Sequence, residues 1–260
     1  LWSYRNSWRY SYPCDIRCGR NNSFFDFHNK YPPIIKVIDF RTFLRREKLT
    51  EYKTNPGSAI RHIKHERDGK SAVLRFEKGE YDFFYDQALV RELYISNHDQ
   101  HADRVVGIAI EEFKNLTIDG QGADLIFHGR MLPVSIVATE HCTLRNLSID
   151  FATPHIAQAE VVKNEPEGIT FRVAPWVKVS LTADGAFAHS GEGWTHRPLW
   201  GIAFEPDTRH IVYTTADIGT PVQQVEPIDE HTFFAPSWRD KRLPVGTVVA
   251  MRTYERPSPG

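Results

Sequence analysis

Two short stretches of this chain say nearly the same thing. "KNLTIDGQG" at 114–122 is echoed by "RNLSIDF" at 145–151. Asn115, Leu116, Ile118 and Asp119 recur as Asn146, Leu147, Ile149 and Asp150, at a constant offset (146 − 115 = 31). Within each stretch the aliphatic residues alternate with Thr117 or Ser148, as on a strand with one buried face. Strands this short need neighbours that bury the same face. Repetition at a fixed period of roughly 20–50 residues is the signature of stacked coils. The expected stack puts Leu116 on Leu147 and Ile118 on Ile149, each buried aliphatic contributing about 1.5–3 kcal/mol. Asn115 and Asn146 would then stack at a bend, bonding the backbone of adjacent coils. This predicts the start of a right-handed parallel β-helix.

The surrounding text extends that reading. "SAVLRFEKGEYDF" at 71–83 alternates, with Val73, Arg75 and Glu77 on one side and Leu74 and Phe76 on the other, before a Lys78-Gly79 turn. "VVGIAI", "KNLTIDG", "ADLIFHG", "VSIVATE" and "CTLRNLSIDF" follow as short strands from 105 to 151. Upstream, Ala59, Ile60 and Ile63 sit at helical spacing before Asp68-Gly69, a short helix that could cap the open end of the core. After Pro154 the echo disappears. Strand-like runs separated by Glu167-Gly168, Asp184-Gly185 and Pro206-Asp207 predict antiparallel hairpins in a small barrel or sandwich.

The expected organisation is all-β, in four parts. Residues 1–34 are an aromatic, Arg-rich leader without periodicity, read as disordered or non-native. Residues 35–155 begin the parallel β-helix, 156–250 form an inserted antiparallel β domain, and 251–260 turn back toward the helix.

A formal net charge of −1 offers no general reason to expect nucleic acid or an anionic membrane as partner. The charge is uneven: residues 1–53 hold 11 Lys/Arg against 5 Asp/Glu, and the rest 21 against 28. Cys14, Cys18 and Cys142 form neither a disulfide framework nor a zinc pattern, so no zinc site is expected. No apolar run approaches the ~18 residues of a membrane span. The chain begins at Leu1 with its first methionine at Met131, and no signal peptide is visible, which reads as a fragment or a mature product.

Several polar groups could carry chemistry. In "YISNHDQH" at 94–101, His98 and Asp99 could converge on a substrate hydroxyl from a turn, or the run could be a loop held by Asn and Asp side-chain turns. "GEGWTHRPLWG" at 191–201 gathers Trp194, His196, Arg197 and Trp200. An exposed indole is a platform for the C–H face of a sugar. The alternative is that both tryptophans pack beneath the loop. A glycosidase needs two carboxyl groups, one to donate a proton and one to activate water or attack. Glu111, Glu112, Asp119, Asp124, Glu140, Asp150 and Glu160 are all available, and spacing selects no pair.

One family resemblance draws these pieces together. "ELYISNHDQ", "VGIAIEEFKNLTIDGQGADLIFHGRMLPVSI", "NLSIDFATPHIAQAEVV", "GEGW", "WGIAF", "HIVYTTADIG" and "LPVGTVVAMRTYERPSPG" resemble the glycoside hydrolase family 110 α-galactosidases, of the bacterial α-1,3-galactosidase type. The resemblance is continuous from about residue 70 to 260. It implies removal of terminal α-1,3-linked galactose from blood-group-B-type or linear glycans, by inversion and without a cofactor. It also implies a parallel β-helix with inserted barrel-like domains, and a secreted or periplasmic location. A galactose-terminated glycan is then the expected partner, with a homo-oligomer left open. Family members are about twice this long and carry their catalytic aspartates on later turns. The resemblance therefore assigns no catalytic residue here, leaving His98, Asp99, Trp194 and Trp200 as substrate-contact candidates. The competing expectations are a polysaccharide lyase on the same scaffold and a non-catalytic chain that binds glycan or assembles with a partner.

Overall fold

The computed structural model describes the strands Ile16–Cys18 and Lys36–Asp39 and residues 71–94 and 103–252. The helix expected around Ala59, Ile60 and Ile63 lies outside the described residues, as do His98 and Asp99. The regular elements described are β-strands apart from a 3-10 turn at Tyr85–Gln87. The chain divides into two units, residues 1–152 and 153–260.

In the first unit the strands are β1 (Ile16–Cys18), β2 (Lys36–Asp39), β3 (Ala72–Arg75), β4 (Glu80–Phe83), β5 (Leu89–Glu92), β6 (Asp103–Glu111), β7 (Leu116–Phe127), β8 (Leu132–Val137) and β9 (Cys142–Phe151). Three residues of the stretch read as a leader thus form a strand, β1, antiparallel to Cys142–Leu144 of β9. From β6 onward the chain alternates between two sheets. β8 returns to lie parallel to β6, and β9 parallel to β7. β7 also runs parallel to β3 and β4, and β3 to β2. Period-2 alternation explains the burial: Ala72, Leu74 and Phe76 point into the core, as do Leu116 and Ile118.

The expected stacking of the echo is corrected by the register. Ile118 faces Leu144, not Ile149, and Leu116 faces Ala72, not Leu147. Asp119 faces Arg145, a separation of 26 residues. Farther along, Asp124 faces Ser148, a separation of 24. Between them the register shifts: β7 spends Gly120, Gln121 and Gly122 where β9 spends Asn146 alone. This two-residue excess bends the paired strands. A Cβ on Gly120 would lie 2.4 Å from Leu147 Cβ and 2.6 Å from the Asn146 carbonyl oxygen, so the two chains meet here too closely for a side chain. Asn115 and Asn146 do share one property, a left-handed backbone with φ of 57° at both. Asparagine tolerates that region better than most residues. The echo therefore encodes a repeated local turn, not a pair of stacked rungs.

Aromatic side chains do line up across the parallel strands. Phe83 pairs with Phe127 and Phe127 with Phe151 across three parallel strands. The Phe83 and Phe127 rings stack at 4.6 Å, and Phe127 and Phe151 lie 6.3 Å apart. Ile149 is 37% exposed, a second correction, since it was expected in the inward stack.

The second unit contains β10 (Ala157–Glu165), β11 (Gly168–Val173), β12 (Lys178–Leu181), β13 (Phe187–Gly191), β14 (Trp194–His196), β15 (Trp200–Phe204), β16 (Ile218–Gly219), β17 (Glu226–Pro227), β18 (Thr232–Ala235) and β19 (Val248–Arg252). Its pairings are all antiparallel. A seven-stranded sheet runs β16-β15-β19-β10-β11-β18-β17, and β12-β13-β14 form a smaller one. The core centres on Phe171, which packs on Phe187, Phe233 and Trp238 at 5.6–5.7 Å between ring centroids.

Candidate functional site

The candidate carboxylates are mostly committed to partners in this chain. Glu111 accepts from Arg91 Nε at 2.7 Å, and Glu160 from Arg172 Nη2 at 3.0 Å. Asp124 accepts from the Ser148 hydroxyl, Asp150 from the Phe151 amide, and Glu140 lies 3.8 Å from Lys114 Nζ. Asp119 is the buried member of the set, 6% exposed. Its Oδ2 accepts from Arg145 Nη2 and Nε, and its Oδ1 from Asn146 Nδ2 and the Gln121 amide. Burial pushes its pKa up, but the donors from Asn146, Arg145 and Gln121, with the Arg145 charge, outweigh that and hold it below the usual carboxylate range. A glycosidase acid needs the reverse, a carboxyl held protonated. Asp119 is a clamp between β7 and β9: two of its four donors come from Arg145 directly opposite, one from Asn146 and one from Gln121 in the Gly120–Gly122 excursion.

The aromatic loop separates its two tryptophans. Trp194 is buried. Its indole lies over Gly191, where an added Cβ would sit 2.3 Å from Cζ2. Its ring also meets His155, His189 and His196 at 5.1, 5.3 and 4.6 Å. His196 pairs with His189 across β13 and β14, and its Nδ1 lies 3.2 Å from the His155 carbonyl oxygen. Burial, then the charges of His196 and His155, drive the His189 pKa down to about 4. Trp194 therefore offers no open ring face, and the histidines beside it are core groups. Arg197 lies on the surface, 3.9 Å from Asp184.

Trp200 is placed differently. It opens β15 and is 41% exposed. Strand alternation turns Gly201 and Ala203 toward the core with Ile218, Val249 and Met251, and so turns Trp200 and Ile202 outward. Directly opposite Trp200 are Gly219 on β16 and Arg252 on β19. Arg252 Nη2 donates to Asp217 Oδ1 at 2.8 Å. Neither Arg252 nor Asp217 stood out in the sequence. The available signal was parity: in "DIG" Asp217 and Gly219 share one face, and in "VVAMR" Arg252 alternates with the buried Met251. Among the described residues no group of three His, Cys, Asp or Glu is arranged to hold a metal ion.

Residues 157–249 match the model of the GLAA-B beta-barrel domain I. The chain is 52% identical over 204 residues to an alpha-1,3-galactosidase B of Phocaeicola vulgatus, covering 78% of this chain and 34% of the relative. It is 53% identical over 204 residues to one from Bacteroides fragilis, with the same coverage. To the Parabacteroides distasonis protein of that name it is 48% identical over 195 residues, 74% of this chain and 32% of the relative. Over these residues the chain belongs to the α-1,3-galactosidase B family. It spans about a third of the length of the family members it matches. The residues matched to the GLAA-B barrel domain include Trp200, Asp217 and the buried His189 and His196, while Arg252 lies just beyond them on β19. The Asp119 clamp belongs to the parallel unit that precedes the barrel.

Proposed function

We propose that this chain is the N-terminal portion of an exo-acting, inverting α-1,3-galactosidase that removes terminal α-galactose from blood-group-B-type or linear glycans. The observation that carries this is its identity of about half to α-1,3-galactosidases B across three-quarters of its residues. In this reading residues 35–155 are the first coils of a right-handed parallel β-helix, with the antiparallel unit inserted after them. The alternation of parallel strands between two sheets supports it. So does the shared step of 26 residues in both sheets, Thr117 to Thr143 in one and Val106 to Leu132 in the other. The acid and base, in this reading, stand on coils beyond residue 260, as the resemblance to longer galactosidases implies; in support, the buried candidate Asp119 already accepts from four donors.

Two assays test this. The purified 260-residue chain, incubated with a terminal α-1,3-galactosyl disaccharide, is expected to release no galactose above buffer. Sustained release would overturn the assignment of the acid and base to later coils. A chimera in which this chain replaces the matching third of the Bacteroides fragilis relative is expected to hydrolyse the same disaccharide with inversion. A folded chimera without galactose release would overturn the functional reading.

A further inference from the structure

Three residues of β1 decide how the parallel sheet of the first unit ends. The sheet runs β1-β9-β7-β3-β2, so β9 has β7 along one edge and β1 along the other. β1 pairs antiparallel with the start of β9: Ile16 stands opposite Leu144, Arg17 opposite Thr143 and Cys18 opposite Cys142. The two sequences agree position by position. Leu144 and Cys142 are buried, at 1% and 5% exposure, and Thr143 between them is half-buried. Ile16 and Cys18 take the places opposite the buried pair, and Arg17 the place between. A slip of one residue would set Arg17 opposite a buried residue, so the pleat selects this register.

The same register brings together two cysteines that lie 124 residues apart in the chain (142 − 18 = 124). Residues directly opposite in an antiparallel pair have Cα atoms about 4.5 or 5.5 Å apart, depending on their place in the ladder. A disulfide spans Cα separations of about 4.4–6.8 Å, so both places fall within its reach. Cys142 is a free, buried thiol. Its Sγ donates to the carbonyl oxygens of Phe113 at 3.7 Å and Glu140 at 3.6 Å. A thiol is a weak donor, so little opposes its turning from these carbonyls toward β1. One cysteine alone would be a small core hydrophobe. A second at the facing register position opens redox chemistry to the pair.

We propose that Cys18 and Cys142 form a redox-controlled disulfide that latches β1 onto the outer edge of β9. The oxidant is a disulfide, either a small molecule or a protein. The Cys18 thiolate attacks one sulfur of that disulfide, giving a mixed disulfide and releasing one thiol. The Cys142 thiolate then attacks the Cys18 sulfur and releases the second thiol. The two protein thiols lose two electrons, the donor disulfide gains them, and the two protons end on the released thiols. Cys18 reacts first because it lies on a three-residue strand at the end of the sheet, whereas Cys142 is buried. The consequence falls on the edge. A bare strand edge presents unpaired N–H and C=O groups, a template for another strand. β1 covers three residues of the ten-residue β9, and so short a pairing opens readily unless it is tied. Oxidised, the cover stays in place. Reduced, β1 yields to any strand that competes for Cys142–Leu144. The latch is independent of what the chain hydrolyses.

To test this, the 260-residue chain is incubated with oxidised glutathione, its remaining thiols are alkylated, and its tryptic peptides are mapped by mass spectrometry. Cleavage after Arg17 separates Cys14 from Cys18, so each pairing has its own mass. The expected product is a Cys18–Cys142 link within one chain, abolished by dithiothreitol, which closes a long loop and speeds migration on a denaturing gel. Oxidation should raise the melting temperature of the first unit by about 5 °C or more and slow amide exchange at Cys142–Leu144 roughly tenfold. Neither shift should occur in Cys18→Ser, whose substitution lies on the edge strand, and Cys14→Ser should behave as the unsubstituted chain. A Cys14–Cys18 link, a link found only between chains, glutathione adducts without an internal link, or thiols that stay free would overturn the proposal. An internal link that leaves exchange at 142–144 unchanged would overturn the latching of β1.

Discussion

Asp119→Ala is expected to destabilise the parallel unit by about 3 kcal/mol, the lower part of the range for breaking a buried ion pair. The substitution removes one acceptor from four donors at once: Arg145 Nε and Nη2, Asn146 Nδ2 and the Gln121 amide. Arg145 can turn to water, since its side chain is 42% exposed, and this keeps the loss from being larger. The Gln121 amide and Asn146 sit at the bend where Gly120 lies against Leu147, so losing their shared acceptor unties the bend from both strands. Amide exchange read by mass spectrometry over 116–127 and 142–151 should accelerate roughly a hundredfold, at about 1.4 kcal/mol per factor of ten. A change of less than fivefold would mean that the cluster is a solvated surface network. The native Asp119 pKa lies below its unfolded value of about 3.9, so the unfolded state takes up the proton first. The stabilisation is therefore complete above that value and is lost as pH falls through the lower native pKa.

The antiparallel unit should weaken in a different window. With its pKa lowered from 6.5 to about 4, His189 is neutral in the folded state where an unfolded histidine is already protonated. Between those values the unfolded chain binds more protons, so stability rises with pH and is progressively lost on acidification from 6.5 to 4. The loss reaches about 3 kcal/mol once both forms are protonated, at 1.36 kcal/mol per unit. Burial is the leading cause, with His196 and His155 adding repulsion, and His196 is also His189's cross-strand partner on β14. On its other side, β12 presents Val179, which is uncharged. Urea unfolding followed by tryptophan emission should report this unit, since four of the six tryptophans, Trp176, Trp194, Trp200 and Trp238, belong to it. In His189→Leu the dependence between pH 6.5 and 4 should flatten, whatever the variant's stability at neutral pH. An undiminished slope would assign the effect to other groups. The two acid transitions are separable because one belongs below about pH 4 and the other above it.

Much of the local structure was legible. Ala72, Leu74 and Phe76 alternate with Val73, Arg75 and Glu77 in the text and in the core alike, because a strand's side-chain period is fixed by its pleat. The strand at Cys142–Phe151 could be read off residue by residue. "LTIDGQGADLIF" could not, because a strand interrupted by Gly-Gln-Gly looks like two. Its continuity depends on β9 running alongside and absorbing the excess at Asn146. The tryptophans illustrate the same limit. Both carried equal weight in "GEGWTHRPLWG", yet one is enclosed by histidines from β13 and the segment before β10, and the other faces outward on β15. Nothing local distinguishes them, because burial is set by which strands come to lie on either side.

The echo of "NLTID" in "NLSID" marks the division most sharply. By itself the sequence determined the strand alternation and the two left-handed asparagine turns, since both depend on steric and hydrogen-bonding preferences within a few residues. The resemblance carried by the unrepeated text around them led to the same family as the relatives it matches. The register was decided only in the tertiary structure. A step of 31 would seat Leu147 on Leu116, whereas the step of 26 before the Gly120–Gly122 excess seats Leu144 on Ile118 and the step of 24 after it seats Leu147 on Ala123, and local text is compatible with either. The choice came from contacts distant in sequence: the Phe83–Phe127–Phe151 row, the Asp119–Arg145 clamp, and the approach of Gly120 to Leu147 that leaves no room for a side chain.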